Sequence, residues 1–475
     1  MSNPGTLTTG KAARPPNRRW AALALGLLIT TGAAQGPGAR PAASASPAPA
    51  TPARLEVSPD GRRLQHADGR PFLYWADTGW ELFHRLNRDD ARTYLRTRRS
   101  QGFTVIQAVA LAEMDGLTVP NAQGDLPLAG KDPSRPLTTP GNNPASPGEY
   151  DYWDHVDYVV DEAASLGLHV TLLPSWGRWV NDEPIFTPES ARSYGAFLGQ
   201  RYGNKPVIWM LGGDRNPETE AQRAVWRAMA DGIEQGSGGR DRALMTYHPR
   251  GGKTSAEFFH DEPWLDFNVW QTGHCRDVQE AAQVLSTFGR TPIKPVINAE
   301  PVYEDHAVCH DRQNGFTDEV DVRNVAYWSM FAGAAGHAYG HRLIWGFDVY
   351  DGDRAWLRAL GAPGVRQLEH LKALLASRPA QGRRPDASLV EGGFSGVRPV
   401  VALRGPDYAW VYLPDGGAAT VSLEGLGRPV LQASWFDPRT GQTTRIGPVT
   451  APGRATFTAP SRGRGEDWLL RLEPL

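Results

Sequence analysis

Two rhythms of apolar and polar residues alternate along this chain. Short, nearly continuous apolar runs recur at 72–77, 103–111, 169–175, 206–213, 243–248, 265–272, 294–300 and 336–346. Strands buried on both faces read this way. Between them, apolar residues fall at helical spacing in "RDDARTYLRTRRSQG", "YWDHVDYVVDEAASLG", "ESARSYGAFLGQRYG", "ETEAQRAVWRAMADGIEQG", "DVQEAAQVLSTFG", "DVRNVAYWSMFAG" and "GVRQLEHLKALLAS". Strand and helix repeating eight times predicts an α/β fold, a (β/α)8 TIM barrel over 71–378. A doubly wound sheet would not demand eight units, and no glycine-rich phosphate loop follows the first run.

Ahead of the barrel, 55–70 carries two Asp-Gly turns and predicts a short hairpin. The connection 112–150 is unusually long, and such a loop is expected to wall a cleft. Beyond 379 the pattern changes to strict alternation between Gly, Pro and Asp turns. It predicts a small all-β sandwich of seven or eight antiparallel strands over 379–475, with "WFDPRTG" turning between two of them. Trp410, Tyr412 and Trp435 alternate as core residues do.

The first residues follow a different logic. "RPPNRRW" and "WAALALGLLITTGAA" read as the charged and apolar parts of a signal peptide, 1–34, with Arg18 and Arg19 compatible with a twin-arginine route. The apolar part is too short and weak for a membrane anchor. A Pro/Ala-rich linker, 35–54, follows. Export to the periplasm or the medium is expected.

Charge excludes one class of partner: 50 basic against 52 acidic residues leave no basic surplus for nucleic acid. Aromatics point elsewhere. The chain has 16 Trp, many beside Asp, His or Asn at the ends of the strand runs, which suits stacking against sugar faces. The two cysteines, Cys275 and Cys309, fall in the loops after runs six and seven, neighbours in a barrel, and are expected to form a disulfide on export. Flanking His274, His306 and His310 invite a metal, but their spacing matches no compact zinc site. No metal or cofactor is expected, and the chain is expected to be a monomer.

Chemistry in such a barrel sits where the strands finish. The residues collected there are Asp77, Trp80, Glu81, His84, Glu113, Trp176, Trp179, Asp214, Asn216, His248, Trp270, Gln271, His274, Glu300, Tyr303, Glu304 and Asp348. Glycoside hydrolysis needs one carboxyl group to protonate the leaving oxygen and a second to attack or to activate water. Runs four and seven lie nearly opposite in a ring of eight. Asp214 is assigned as acid/base and Glu300 as nucleophile, about 5 Å apart in a retaining displacement. The plainer alternatives are a helix N-cap for Asp214 and a salt bridge at the barrel mouth for Glu300. Glu304 competes with Glu300, but Pro301 favours leaving Glu300 at the strand end and Glu304 at the rim. Asp77, Trp80, Glu113, Trp176, Trp179, Asn216, His248, Trp270, Gln271, His274, Tyr303 and, from the rim, Glu304 are assigned to the sugar. Two other classes stay open: a non-catalytic carbohydrate-binding protein with a dead barrel, which would tolerate loss of a carboxylate, and a matrix-binding surface protein acting through exposed aromatics of the C-terminal domain. A lyase acting on acidic polysaccharide would want a basic, calcium-bearing groove, and no such cluster stands at the strand ends.

The segments "LQHADGRPFLYWADTGWELFHRLNRDDARTYLRTRRSQGFTVIQ", "WGRWVND", "VIWMLGGDRNP", "PVINAEPVYE" and "RNVAYWSMFAGAAGHAYG" resemble the apiosidase-like barrel family. That family includes bacterial glycoside hydrolases that release apiose from pectic side chains. The tail around "WFDPRTG" is similar to the small domain that accompanies the barrel and carries a collagen-binding label; the alternation there needs only a packed partner for the barrel. The resemblance implies an aspartate acid/base in "GGD" and a glutamate nucleophile in "NAEP", which fall on Asp214 and Glu300. Exo action on a terminal furanose such as apiose is implied by the resemblance alone.

Overall fold

A computed structural model describes residues 53–347, 354–392 and 394–475. The signal peptide, nearly all of the linker and Asp348 lie outside the described residues. Among the described residues, no helix is long and apolar enough to cross a membrane.

The region 55–70 forms more than a hairpin. Strands β1 (Leu55–Val57), β2 (Leu64–His66) and β3 (Pro71–Phe72) make a three-stranded antiparallel sheet, since Pro71–Phe72 folds back onto β2. Both Asp-Gly turns are real, with Gly61 and Gly69 at φ +68° and +83°.

Eight parallel strands follow: β4 (Tyr74–Thr78), β5 (Val105–Val109), β6 (His169–Leu173), β7 (Val207–Gly212) and β8 (Met245–His248), then β10 (Asn268–Gln271), β11 (Val296–Asn298) and β12 (Gly336–Tyr339). They pair in the order β8-β7-β6-β5-β4-β12-β11-β10, so the two strands that carry the expected carboxylates lie far apart in the ring. Strand β9 (Lys253–Thr254) sits antiparallel on the free edge of β10. It occupies the seam where β8 and β10 would otherwise meet. Below it the seam is held by Asp266, whose backbone N–H donates to the Met245 carbonyl at 2.9 Å and whose carboxylate accepts from the Met245 N–H at 2.7 Å. The barrel is nearly closed.

The helices are α1 (Leu82–Arg85), α2 (Arg88–Ser100), α3 (Tyr152–Ser165), α4 (Arg178–Asn181), α5 (Pro188–Tyr202) and α6 (Glu220–Ser237). They continue with α7 (Ala256–Phe259), α8 (Glu280–Phe288), α9 (Glu319–Phe331), α10 (Trp356–Ala359) and α11 (Pro363–Ala376). All seven expected helical stretches are present, and the helix between β8 and β10 is a single turn, α7. Start signals are local: Asn87, Asp151, Thr187, Thr219 and Asp318 each cap a helix by accepting a backbone N–H.

Strand β12 stops at Tyr339, short of the expected 346. A Cβ on Gly340 would lie 2.1 Å from the Tyr303 ring, so only glycine lets the chain turn there. Inside the barrel, Gln107 of β5 donates to the Ala299 carbonyl at 3.0 Å and to Thr78 Oγ1 at 3.1 Å. This crossbar fixes the end of β11 one residue before Glu300.

After α11 come β13 (Arg384–Pro385), β14 (Val401–Arg404), β15 (Ala409–Leu413), β16 (Gly416–Ser422), β17 (Val430–Phe436), β18 (Thr443–Thr450), β19 (Arg454–Arg462) and β20 (Trp468–Glu473). Six of them form one antiparallel sheet, β13-β14-β15-β20-β17-β18, and β16 with β19 forms a ribbon. "WFDPRTG" turns between β17 and β18. Trp410, Tyr412 and Trp435 are buried. This region shares one apolar core with α9 and α11. Tyr412 stacks on Tyr327 of α9 at 4.3 Å, and Arg323 of α9 makes a fully buried two-pronged ion pair with Asp467.

Candidate active site

Strand β7 ends in Gly212, Gly213 and Asp214, all at positive φ (+89°, +121° and +57°). The glycines are required by packing as well as by φ. A Cβ on Gly212 would lie 2.4 Å from the His248 carbonyl, and one on Gly213 would lie 2.5 Å from the Trp176 ring. The strained turn lifts Asp214 over the barrel mouth. Asp214 is not a helix cap: α6 is capped by Thr219. Gln271 Nε2 donates to Asp214 Oδ1 at 2.7 Å, and burial followed by the charge of Glu300 raises the Asp214 pKa above its ordinary value.

Glu300 stands at the end of β11 between two imidazoles. Its Oε1 lies 3.2 Å from His274 Nε2 and its Oε2 lies 3.1 Å from His248 Nε2, the latter contact being off the hydrogen-bond axis. Among the described residues no Arg or Lys stands in salt-bridge contact with it, and the groups in ion-pair range are His248 and His274. Burial alone would raise the Glu300 pKa; His248 and His274 overcome that and hold it well below the usual carboxylate range. One carboxyl group is thus biased towards its proton and the other towards its charge.

Both line a cavity of about 240 Å³ with Trp80, Glu113, Trp176, Tyr303 and Trp345. The Trp80 indole N–H donates to the Tyr303 hydroxyl at 3.1 Å, and Trp80 meets Trp176 and His248 edge-on at 5.3 and 5.5 Å. Glu113 is a third carboxyl group here. Burial, then the charge of Asp214, pushes its pKa up to about 7 against the pull of Arg215. A wider cavity of about 910 Å³ shares Asp214, His274 and His310 with the first and has both polar walls, such as Gln271 and Gln283, and apolar ones, such as Val278 and Ala282.

Several expected residues go elsewhere. Asp77 is fully buried and bonded to Arg98 Nε at 2.7 Å, tying β4 to α2, so it lines neither cavity. Trp270 faces α8, its indole donating to Thr287 Oγ1 at 2.9 Å. Trp179 donates to the carbonyls of Leu111 and Ala112 at 3.3 and 3.2 Å. Asn216 accepts from the Arg250 N–H at 3.1 Å and is outside both cavities. Glu304 turns from the rim to accept from the Tyr339 hydroxyl at 2.6 Å and the Gly364 N–H at 3.1 Å, capping α11. His84 pairs with Glu81 at 3.0 Å behind the wall.

The loop 112–150 gives the small pocket only Glu113 and Met114; its remainder packs outward, for example where the Trp153 indole donates to the Pro127 carbonyl at 3.0 Å. The opposite wall is the loop after β11, with Tyr303, His306 and His310. It is stapled to the loop after β10 by a Cys275–Cys309 disulfide, and the Cys309 N–H donates to the His274 carbonyl at 2.8 Å. The rings of His274, His306 and His310 lie 4.5–5.1 Å apart by centroid. Among the described residues, the one group compact enough to hold a metal is Cys275, Asp277 and Cys309, and its two sulfurs are consumed by the disulfide. Met114 and Trp345 were not anticipated as pocket residues. Trp345 read as part of a strand, and the Gly340 turn was the signal that it is not.

Residues 58–381 match the family model "Apiosidase-like, catalytic domain", and 385–473 match "Putative collagen-binding domain of a collagenase". Among solved structures, a glycoside hydrolase of family 5 from Bacteroides vulgatus is 34% identical with a TM-score of 0.79, covering 89% of this chain and 93% of its own. A second, described as a glycoside hydrolase, is 33% identical with a TM-score of 0.79, covering 89% of this chain and 97% of its own. No curated protein matches the chain.

Proposed function

This chain belongs to the apiosidase-like family and is a glycoside hydrolase, and we propose that it works by a retaining double displacement on a terminal sugar. Glu300 is the nucleophile and Asp214 the acid/base. One observation carries this assignment: two carboxyl groups in one small pocket with pKa values pushed in opposite directions. In the first step a Glu300 oxygen bonds to the anomeric carbon as the glycosidic C–O bond breaks. Asp214 gives its proton to the departing oxygen. In the second step water attacks that carbon, Asp214 takes the water's proton, and the ester to Glu300 is released. Gln271 orients Asp214, and the imidazoles of His248 and His274 hold Glu300 on the rigid strand end.

Exo action is supported by the contrast between the two cavities. The small one, walled by Trp80, Trp176, Trp345 and Tyr303, suits a single sugar, and the wider one suits the chain it leaves. Apiose or another furanose as that sugar, a plant or microbial polysaccharide side chain as its source, export by the N-terminal segment and a monomeric state complete the proposal. The first two rest on family membership.

Pectic, arabinan and galactan fragments, with product analysis, test the substrate. Release of internal oligomers alone overturns exo action. Glu300→Gln should abolish turnover with sugar binding intact. Asp214→Asn should harm natural leaving groups far more than activated aryl ones, which need little protonation. NMR of the first-formed product reads the stereochemistry, and an inverted anomer removes the double displacement.

A further inference from the structure

A separate chamber lies at the opposite end of the barrel from the carboxylates. It has a volume of about 570 Å³ and forms where the starts of β4 and β12 meet the segment between α11 and β13. Its floor is apolar, with Phe72, Leu73, Phe288, Met330, Leu375 and Leu403. Its rim carries Arg62, Arg63, Lys372, Arg378, Arg383 and Arg384, and no Asp or Glu lines it.

Two of these cations are neutralised, Arg63 by Asp60 and Arg378 by Glu473 at 3.0 Å. The other four have no carboxylate in salt-bridge contact among the described residues. Arg383 donates to the carbonyls of Leu375 and Arg378 at 2.7 Å and to the Tyr408 hydroxyl at 2.8 Å. Lys372 donates to the Gly102 carbonyl, and Arg62 to the Phe288 carbonyl. A carbonyl satisfies a donor and leaves the charge in place. Capping the end of α11 accounts for Arg383. It does not account for Arg62, Lys372 and Arg384 around an apolar chamber of the size small-molecule sites have, about 300–1,000 Å³.

We propose that this chamber binds an amphipathic carboxylate, its apolar chain or ring on the floor and its acid group among the rim cations. Charge complementarity selects an anion, and the floor selects one with an apolar body. A sugar acid without such a body would gain nothing from Phe288 and Met330.

Octanoate and its neutral counterpart 1-octanol test this by titration calorimetry on the full chain. Octanoate should bind saturably at one site, with 1-octanol at least about tenfold weaker. Octanoate binding should weaken with added salt. Ala376→Trp places a ring in the mouth from an exposed helix end and should remove binding. Arg384→Glu, on an exposed strand position, should weaken octanoate about tenfold and leave 1-octanol unchanged. Both variants should keep glycosidase activity, since the chamber is at the far end of the barrel. Absence of saturable octanoate binding, equal binding of 1-octanol, or wild-type affinity in Arg384→Glu would each overturn the proposal. If Ala376→Trp lowers the melting temperature, Arg384→Glu with its unchanged neutral control still decides.

Discussion

Replacing Glu113 by Gln separates what this pocket demands chemically from what it costs the fold. The folded pKa is about 7 against an ordinary 4.5. Below 4.5 the group is protonated in folded and unfolded chains alike and contributes no pH dependence. Between 4.5 and 7 the unfolded chain loses the proton while the folded chain keeps it, so stability falls as pH rises. At 1.36 kcal/mol per unit, the full fall is about 3 kcal/mol and is complete above pH 7. Gln cannot ionise, so the variant should escape this loss. The ion contact to Arg215, at 3.7 Å, disappears with it, but Arg215 keeps Asp182 at 2.7 Å and is part-exposed, so that change is small. Urea unfolding of both proteins at pH 4.5 and pH 8 measures the effect as a difference of differences, which cancels all other titrating groups. The variant should gain about 3 kcal/mol relative to wild type between the two pH values. A gain below about 1 kcal/mol would show that Glu113 is not held protonated by burial beside Asp214.

Other expectations are independent of that one. The pH–rate profile should have its acid limb below the ordinary carboxylate range, from Glu300, and its alkaline limb above it, from Asp214. Gln271→Leu should move the alkaline limb up, because Gln271 stabilises the Asp214 anion; no movement refutes that bond. Gly213→Ala should cost at least about 2 kcal/mol in thermal or urea unfolding, from a left-handed backbone and a Cβ against Trp176. Replacing Cys275 and Cys309 together by Ala should remove about 4 kcal/mol, as a cross-link 34 residues apart implies, and lower kcat through His274; unchanged kcat would free His274 from the staple.

The barrel was legible because strands buried on both faces leave continuous apolar runs, and the disulfide because β10 and β11 had to be neighbours. Two of the misplaced residues, Asp77 and Trp270, share one cause. Side chains alternate along a strand, and Asp77 has the parity of Trp75 while Trp270 has that of Asn268. Both therefore point at the helices, whereas Tyr74, Thr78 and Gln271 point into the barrel. Counting the register would have removed them from the pocket. The positive φ of Asp214 and the outward course of most of 112–150 had no comparable signal. They depend on what packs against them, Trp176 and His248 in one case and Trp153 in the other. Helix α9 was legible as a helix, but its burial on nearly every side draws on residues 71 to 144 positions further along.

That burial bears on where this protein can be cut. The two family matches divide the chain between 381 and 385, a natural place to trim a catalytic fragment. Trimming there would strip Asp467 from Arg323, Tyr412 from Tyr327 and the Pro399 carbonyl from the Trp328 indole, all on α9. The fragment would present an unpaired guanidinium and a bare aromatic face to water, a surface that invites aggregation. A lost buried partner alone costs about 3–5 kcal/mol, a large part of a domain's margin. The boundary that heredity draws in this sequence is not one that expression of the barrel can follow.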